Sequence, residues 1–247
     1  DLVPAQVARA DALIASIKQL AITKYNVGHK ADPAALLDRL KVAGEREVIL
    51  VPGQFENDLS IACSLGEIKT NLGLLRKVKA DYPEAFIVFK EHPDVYSGVR
   101  PGALGEKSAL ETADLYVADV DMASLLECCD RVCTLTSLTG FEALIRGKEV
   151  SVYGSPFYAG WGLTDDKLAL PGRNTSNKSL TLSELIYGAM ITYSRYVDWN
   201  TGYLTGPEQT VNFLAKQRAT AGVEQLKSSW LARQLRKIQY FSDTLFH

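Results

Sequence analysis

Val132-Cys133-Thr134-Leu135-Thr136-Ser137-Leu138-Thr139-Gly140-Phe141-Glu142-Ala143-Leu144 is the stretch that decides the fold. An apolar β run ends in hydroxyls and a glycine, and an amphipathic helix opens at once. Such a junction aims backbone N–H groups and Ser/Thr hydroxyls at whatever lies above the sheet, an arrangement suited to a phosphate. Glu142 sits near the helix start, within reach of a ribose diol. The stretch therefore reads as a nucleotide site on a parallel α/β sheet, and says little about the reaction.

Outward from it, strands alternate with helices. Upstream, Glu47–Pro52 (EVILVP) reads as a buried strand, followed by a helix with Ile68, Leu72, Leu75 and Val78 on one face. Phe86–Lys90 is a second strand, Leu115–Ala118 a third, and Ser124–Cys129 a short helix. Arg131–Leu135 is the fourth strand, Gly140–Arg146 its helix, and Glu149–Tyr153 the fifth strand. Short apolar strands with interposed helices predict an α/β fold built on a doubly wound, parallel, Rossmann-like sheet. Residues 1–20 read as an amphipathic helix with Pro4 near its start. After Gly172 the pattern predicts helices only: Leu182–Tyr193, Pro207–Gln217 and a long terminal one over Val223–Phe241. Arg173–Lys178 is the most linker-like stretch.

Bulk properties narrow the function. The chain has 247 residues, 47% hydrophobic and 23% charged, enough for a full core in one large or two small units. A formal net charge of −2 argues against nucleic-acid binding through bulk electrostatics. Cys63, Cys128, Cys129 and Cys133 have no metal-ligand spacing and read as reduced core residues of a cytoplasmic protein. No run approaches the ~20 apolar residues of a membrane span. There is no HExxH, no Walker A sequence and no GxGxxG after a strand, so metal, ATPase and ordinary NAD roles lose their main support.

In a parallel sheet, ligands lie beyond the carboxyl ends of the strands, and four unusual loops follow strand ends here. Residues 51–58 (VPGQFEND) follow the first, 90–95 (KEHPDV) the second, 136–139 (TSLT) the fourth and 153–162 (YGSPFYAGWG) the fifth. His92, held extended by Pro93, reads as a hydrogen-bond donor to a phosphate, as an acid assisting a leaving group, or as an ordinary loop histidine. Glu56 and Asp58 share a side if the loop stays extended, and could divide acid and nucleophile roles. Asp58 reads equally well as the N-cap of the helix after it. Ser137 and Thr139 suit a phosphate, a helix cap, or both. Phe157, Tyr158 and Trp161 can wall a sugar pocket or seal the core edge.

Read together, VPGQFENDLSI (51–61), KEHPDV (90–95), CDRVCTLTSLTGFEALIRGK (129–148) and YGSPFYAGWGLT (153–164) resemble the Kdo transferases of bacterial capsule export, the KpsC type of capsule polysaccharide biosynthesis protein. Weaker agreement runs through Ile22–Asn26, Leu180–Leu185 and Tyr193–Asp198, so the resemblance covers about residues 20–215. It implies the nucleotide-binding half of a GT-B-like enzyme that uses CMP-β-Kdo as donor and retains the β configuration. The implied acceptor is a Kdo-terminated oligosaccharide on a lipid, and no metal or other cofactor is implied. By the same resemblance, His92, Ser137 and Thr139 hold the CMP phosphate, Glu142 takes the ribose, and Lys90, Pro93, Thr136 and Gly140 complete the donor site. Asp58 becomes the nucleophile of a double displacement, with Glu56 as supporting acid.

Two departures stand out. The family pattern Gln-Val-Glu-x-Asp is here Gln54-Phe55-Glu56-Asn57-Asp58, and an upstream Glu-Asp-Gly-Phe motif of the family does not occur. The expected organisation is thus a helical segment over 1–44 linking to a missing half, a CMP-sugar-binding domain over 45–172 and a helical extension over 173–247. Acceptor binding and general-base chemistry are expected in that other half. The basic residues of the terminal helix leave room for a peripheral contact at the inner face of the inner membrane. A transferase for another CMP-sugar, such as a sialic acid, and a non-catalytic scaffold that keeps the fold are the rival readings.

Overall fold

The computed structural model describes residues 2–24, 33–92, 104–173, 179–198 and 201–220. Pro93, the Tyr25-Asn26 pair and the predicted Val223–Phe241 helix lie outside them, as does most of the Arg173–Lys178 stretch.

Helix α1 (Pro4–Gln19) begins at a proline and buries Ala10, Leu13 and Ile17 along one stripe. After α2 (Pro33–Leu40) the chain enters β1 (Val48–Pro52), then α3 (Leu59–Ala62) and α4 (Asn71–Asp81). Strand β2 (Phe86–Lys90), the short α5 (Glu106–Ala109) and β3 (Leu115–Val117) follow. Next come α6 (Met122–Cys128), β4 (Arg131–Thr134), α7 (Leu138–Ile145) and β5 (Glu149–Val152). The sheet closes with β6 (Asp165–Asp166), and its spatial order is β3-β2-β1-β4-β5-β6, every pair parallel.

That order is the doubly wound one, whose direction of winding reverses between β1 and β4. Both faces are covered, which is why the strands read as nearly continuous apolar runs. Ile49 and Val51 of β1, Ile87 and Phe89 of β2 and Cys133 of β4 pack against Leu74, Leu75 and Val78 of α4. Leu50, Val88, Val132 and Val150 fill the opposite layer with α1, α6 and α7.

The C-terminal part packs on the same layer as α1. Helix α8 (Leu182–Ile186) contributes Leu185 and Ile186 to that core, and Val211 of α9 (Pro207–Thr220) joins them. Arg9 pairs with Glu208 at 2.7 Å, and Ser183 Oγ donates to Asp11 Oδ1 at 2.5 Å.

Four expectations change. The sheet gains β6, two aspartates with no apolar pattern that pair through their backbone with Ser151 and Val152. The helix expected over Leu182–Tyr193 is α-helical only to Ile186 and continues as a π-helix over Tyr187–Tyr193. The all-helical tail is interrupted by a hairpin, β7 (Tyr196–Val197) against β8 (Leu204–Thr205). Cys129 and Cys133 are buried, but Cys63 is exposed at the end of α3, because that one-turn helix lies on the surface; all four thiols are free.

Candidate functional site

A cavity opens at the carboxyl ends of the strands, over the β1–β4 switch point. Pro52, Gly53, Gln54 and Asp58 come from the loop after β1, Lys90, Glu91 and His92 from that after β2, and Val120 and Met122 from that after β3. The turn after β4 supplies Thr136, Ser137 and Thr139, α7 supplies Glu142, and Thr23 and Lys24 cross over from the end of α1. Three of the four loops singled out in the sequence therefore converge. The fourth, after β5, does not line the cavity: Tyr158 is wholly buried and stacks in a cluster with Phe141 and Phe157, sealing the core edge.

Ser137 caps α7, accepting the Thr139 N–H at 3.2 Å, and its hydroxyl donates to Thr139 Oγ1 at 3.1 Å. The positive end of the helix, two hydroxyls and Thr136 thus face the cavity together. Gly140 serves packing instead: a Cβ there would collide with the Tyr158 hydroxyl, which donates to Ser137 O at 2.5 Å and fixes the turn from behind.

Glu142 is buried, and its Oε1 accepts the Lys24 N–H at 2.6 Å. Burial pushes its carboxyl above the usual range, against the pull of that hydrogen bond and of Arg146. Arg146 in turn donates to Ile22 O at 3.1 Å, so the segment after α1 is strapped onto α7 at two points. Ala21, at the start of that strap, has φ 49°, the left-handed region that favours glycine.

Lys90 is 5% exposed. Its ammonium donates to Glu91 O at 3.0 Å and to Ala118 O. Burial brings its pKa down to about 8, with Asp119, Glu91 and Asp121 pulling the other way. Glu91, also buried, accepts the His92 N–H at 3.1 Å and the Gly105 N–H at 3.3 Å, which fixes the backbone that presents the histidine.

The two candidate carboxylates do not share a side. A turn closed by the Asp58 N–H on Phe55 O at 2.9 Å breaks the extended run, so the two-residue alternation is lost. Glu56 turns away and accepts the Asn71 N–H at 2.6 Å at the start of α4. Asp58 lines the cavity and caps α3 through the Ser60 N–H at 2.8 Å. Capping is therefore observed, and it leaves Asp58 facing the space where a ligand would lie.

Sequence reasoning missed Gln54 and Asn71. The Asn71 amide holds the Gln54 backbone in both directions, at 2.9 and 2.8 Å. The Gln54 amide reaches over to the turn after β4. A glutamine in the loop that follows a strand end was the available signal. Thr23 and Lys24 lie in the Ile22–Asn26 stretch that carries part of the resemblance, and nothing local predicts that they return to α7.

Among the described residues, no group of three or more His, Cys, Asp or Glu is placed to hold a metal ion. Among them, too, no helix is long and apolar enough to cross a membrane.

Comparison with known proteins agrees with this architecture. KpsC of Thermosulfurimonas dismutans, a beta Kdo 2,7 transferase, superposes with a TM-score of 0.70 at 33% identity, over 88% of this chain and 63% of that one. The beta Kdo 2,4 transferase of the same KpsC gives 0.75 at 30% identity, over 87% and 64%. The capsule polysaccharide modification protein LipA of Neisseria meningitidis serogroup B is 44% identical over 80% of this chain and 27% of its own length. The lipopolysaccharide-processing protein LpsZ of Rhizobium meliloti is 37% identical over 85% of this chain and 46% of its own. The chain thus spans between a quarter and a half of these curated relatives. Residues 6–196 match the family described as capsule polysaccharide biosynthesis protein, and the chain belongs to that family.

Proposed function

We propose that the cavity binds the donor of a retaining β-Kdo transferase, CMP-β-Kdo, for transfer of Kdo to a Kdo-terminated glycolipid in the building of a capsule linker. The observation that carries this reading is the assembly, over one switch point, of a capped helix N-terminus, three hydroxyls, His92 and a buried carboxylate. In this reading the α7 terminus, Thr136, Ser137, Thr139 and His92 stabilise negative charge on the departing phosphate. Glu142 accepts from the ribose hydroxyls. The chemistry needs no metal, because CMP is already a competent leaving group.

Asp58 is the proposed nucleophile. Its carboxylate attacks the anomeric carbon of Kdo as the bond from that carbon to the phosphate oxygen breaks, giving a glycosyl ester and free CMP. An acceptor hydroxyl then attacks the same carbon and passes its proton to a base. The ester breaks, the Asp58 carboxylate is regenerated, and two inversions restore the β configuration. The base and the acceptor site are proposed to lie outside this chain. Glu56, bound to Asn71, anchors the loop that carries Asp58; acting as supporting acid would require it to leave that hydrogen bond.

Calorimetric titration of CMP tests the reading. Saturable binding is expected, weakened about tenfold in His92→Ala, about 1.4 kcal/mol for one charge-assisted contact. Intact mass after incubation with CMP-Kdo should then show a Kdo adduct that disappears in Asp58→Ala, and CMP-sialic acid should give none. A folded chain that ignores CMP would overturn the assignment.

A further inference from the structure

Gln54 is 8% exposed and sits where the loops after β1 and β4 meet. Its Oε1 accepts from Thr134 Oγ1 at 3.1 Å and from the N–H groups of Leu135 and Thr136 at 3.2 and 3.1 Å. Its Nε2 donates to Thr136 Oγ1 at 2.9 Å. The two ends of the amide are not interchangeable. Two backbone N–H groups require an acceptor, so the oxygen faces them and the nitrogen is left for the threonine.

This keeps the Thr136 hydrogen from being spent on Gln54, because one lone pair of the hydroxyl takes the Gln54 hydrogen and Nε2 cannot accept. Ser60 Oγ stands at 3.1 Å, on the cavity wall, and either hydroxyl can donate to the other. Whichever does, one hydrogen of the pair is left to donate toward the cavity, and a donor suits an ionised phosphate oxygen, which only accepts. The clamp of Asn71 on the Gln54 backbone keeps the arrangement from relaxing.

We propose that Gln54 is a positioning residue that sets the donor sense of Thr136, and that the cavity wall so formed selects a ligand group that is ionised and accepts only. The proposal rests on reading the cavity as the site of the donor phosphate.

Two variants of equal length test it. Gln54→Met removes both hydrogen-bonding ends; Gln54→Glu keeps an acceptor for the Leu135 and Thr136 N–H groups but accepts from Thr136 as well, turning that hydrogen inward. CMP affinity at pH 7.5 should fall about tenfold in Gln54→Met and at least tenfold further in Gln54→Glu. The ratio between the variants should shrink toward pH 5 as the introduced carboxyl gains a proton and can donate. The added charge would weaken Gln54→Glu without any role for the hydroxyl, so both variants are also made in Thr136→Val. The proposal requires the further loss in Gln54→Glu to disappear there; a loss that persists, or a Gln54→Glu that binds better than Gln54→Met when Thr136 is kept, overturns it. Amide exchange at Leu135 and Thr136 should quicken at least tenfold in Gln54→Met and stay slow in Gln54→Glu; unchanged exchange in Gln54→Met also overturns it. If either variant fails to fold, Thr136→Val decides: the proposal requires the tenfold loss of CMP affinity with exchange at Leu135 preserved. Exchange needs no ligand. A wild-type chain that ignores CMP therefore refutes the donor reading, while Gln54 is still judged on its amides.

Discussion

Lys90→Met should change how the stability of this protein depends on pH more than whether it folds. The ammonium sits at the end of β2, 5% exposed, with two backbone carbonyls as partners. Burial brings its pKa from 10.5 down to about 8. Between those values the unfolded chain holds a proton at this position that the folded protein has released. Stability therefore rises with pH across the window, because the unfolded state binds more protons. Integrating the two titrations from pH 7 to pH 10 gives wild type a gain on the order of 2–3 kcal/mol that the methionine variant lacks. Every other ionisable group is common to both proteins and cancels in the difference. Urea unfolding of both proteins at pH 7 and pH 10, extrapolated to water, measures it. A difference between wild type and variant that stays within about 0.5 kcal/mol across that range would refute the argument, because it would mean that Lys90 carries no burial penalty.

Three further perturbations follow from single contacts. Glu142→Gln should raise the thermal midpoint at pH 7, since burial raises the carboxyl in the folded state and its ionisation weakens the fold. Stability from this group is lost as pH rises above the ordinary carboxylate value, so the advantage of the variant should vanish below about pH 4. CMP affinity should fall in the same variant. Ala21→Gly should stabilise by about 0.5–1 kcal/mol in urea, because relief of the left-handed backbone exceeds the entropy glycine brings to the unfolded chain. Gly53→Ala should cost about 1–3 kcal/mol and weaken CMP binding, since its Cβ would stand 2.9 Å from Lys90 O and 3.1 Å from His92 N; wild-type stability in that variant would contradict the close approach of the two loops.

The five apolar strands were legible because burial on both faces leaves a signal that needs no partner to be read. Leu50 and Val51 point to opposite layers, yet both must be apolar. The elements that escaped are those whose formation depends on something distant. Asp165 and Asp166 become a strand only because the edge of β5 is open to them, and their side chains say the reverse. Two-residue strands at Tyr196–Val197 and Leu204–Thr205 are too short to alternate. For the π-helix over Tyr187–Tyr193, nothing in a helical period distinguishes one hydrogen-bond spacing from the other.

The same division runs through the site. The cap at Ser137 was readable because a helix start asks for a hydroxyl at that position. Glu56 was misplaced because a single turn hydrogen bond, Asp58 N–H to Phe55 O, reverses which side a residue faces, and that bond leaves no mark in composition. Lys24 meets Glu142 across 118 residues of chain, a distance over which no local rule operates. Gln54 lies between these extremes. Its place in the loop after β1 was legible, but its meaning was not, because one amide answers two backbone N–H groups and two hydroxyls at the end of β4, far along the sequence. What the sequence leaves unread in this cavity is therefore the set of bonds that join one strand's loop to the next.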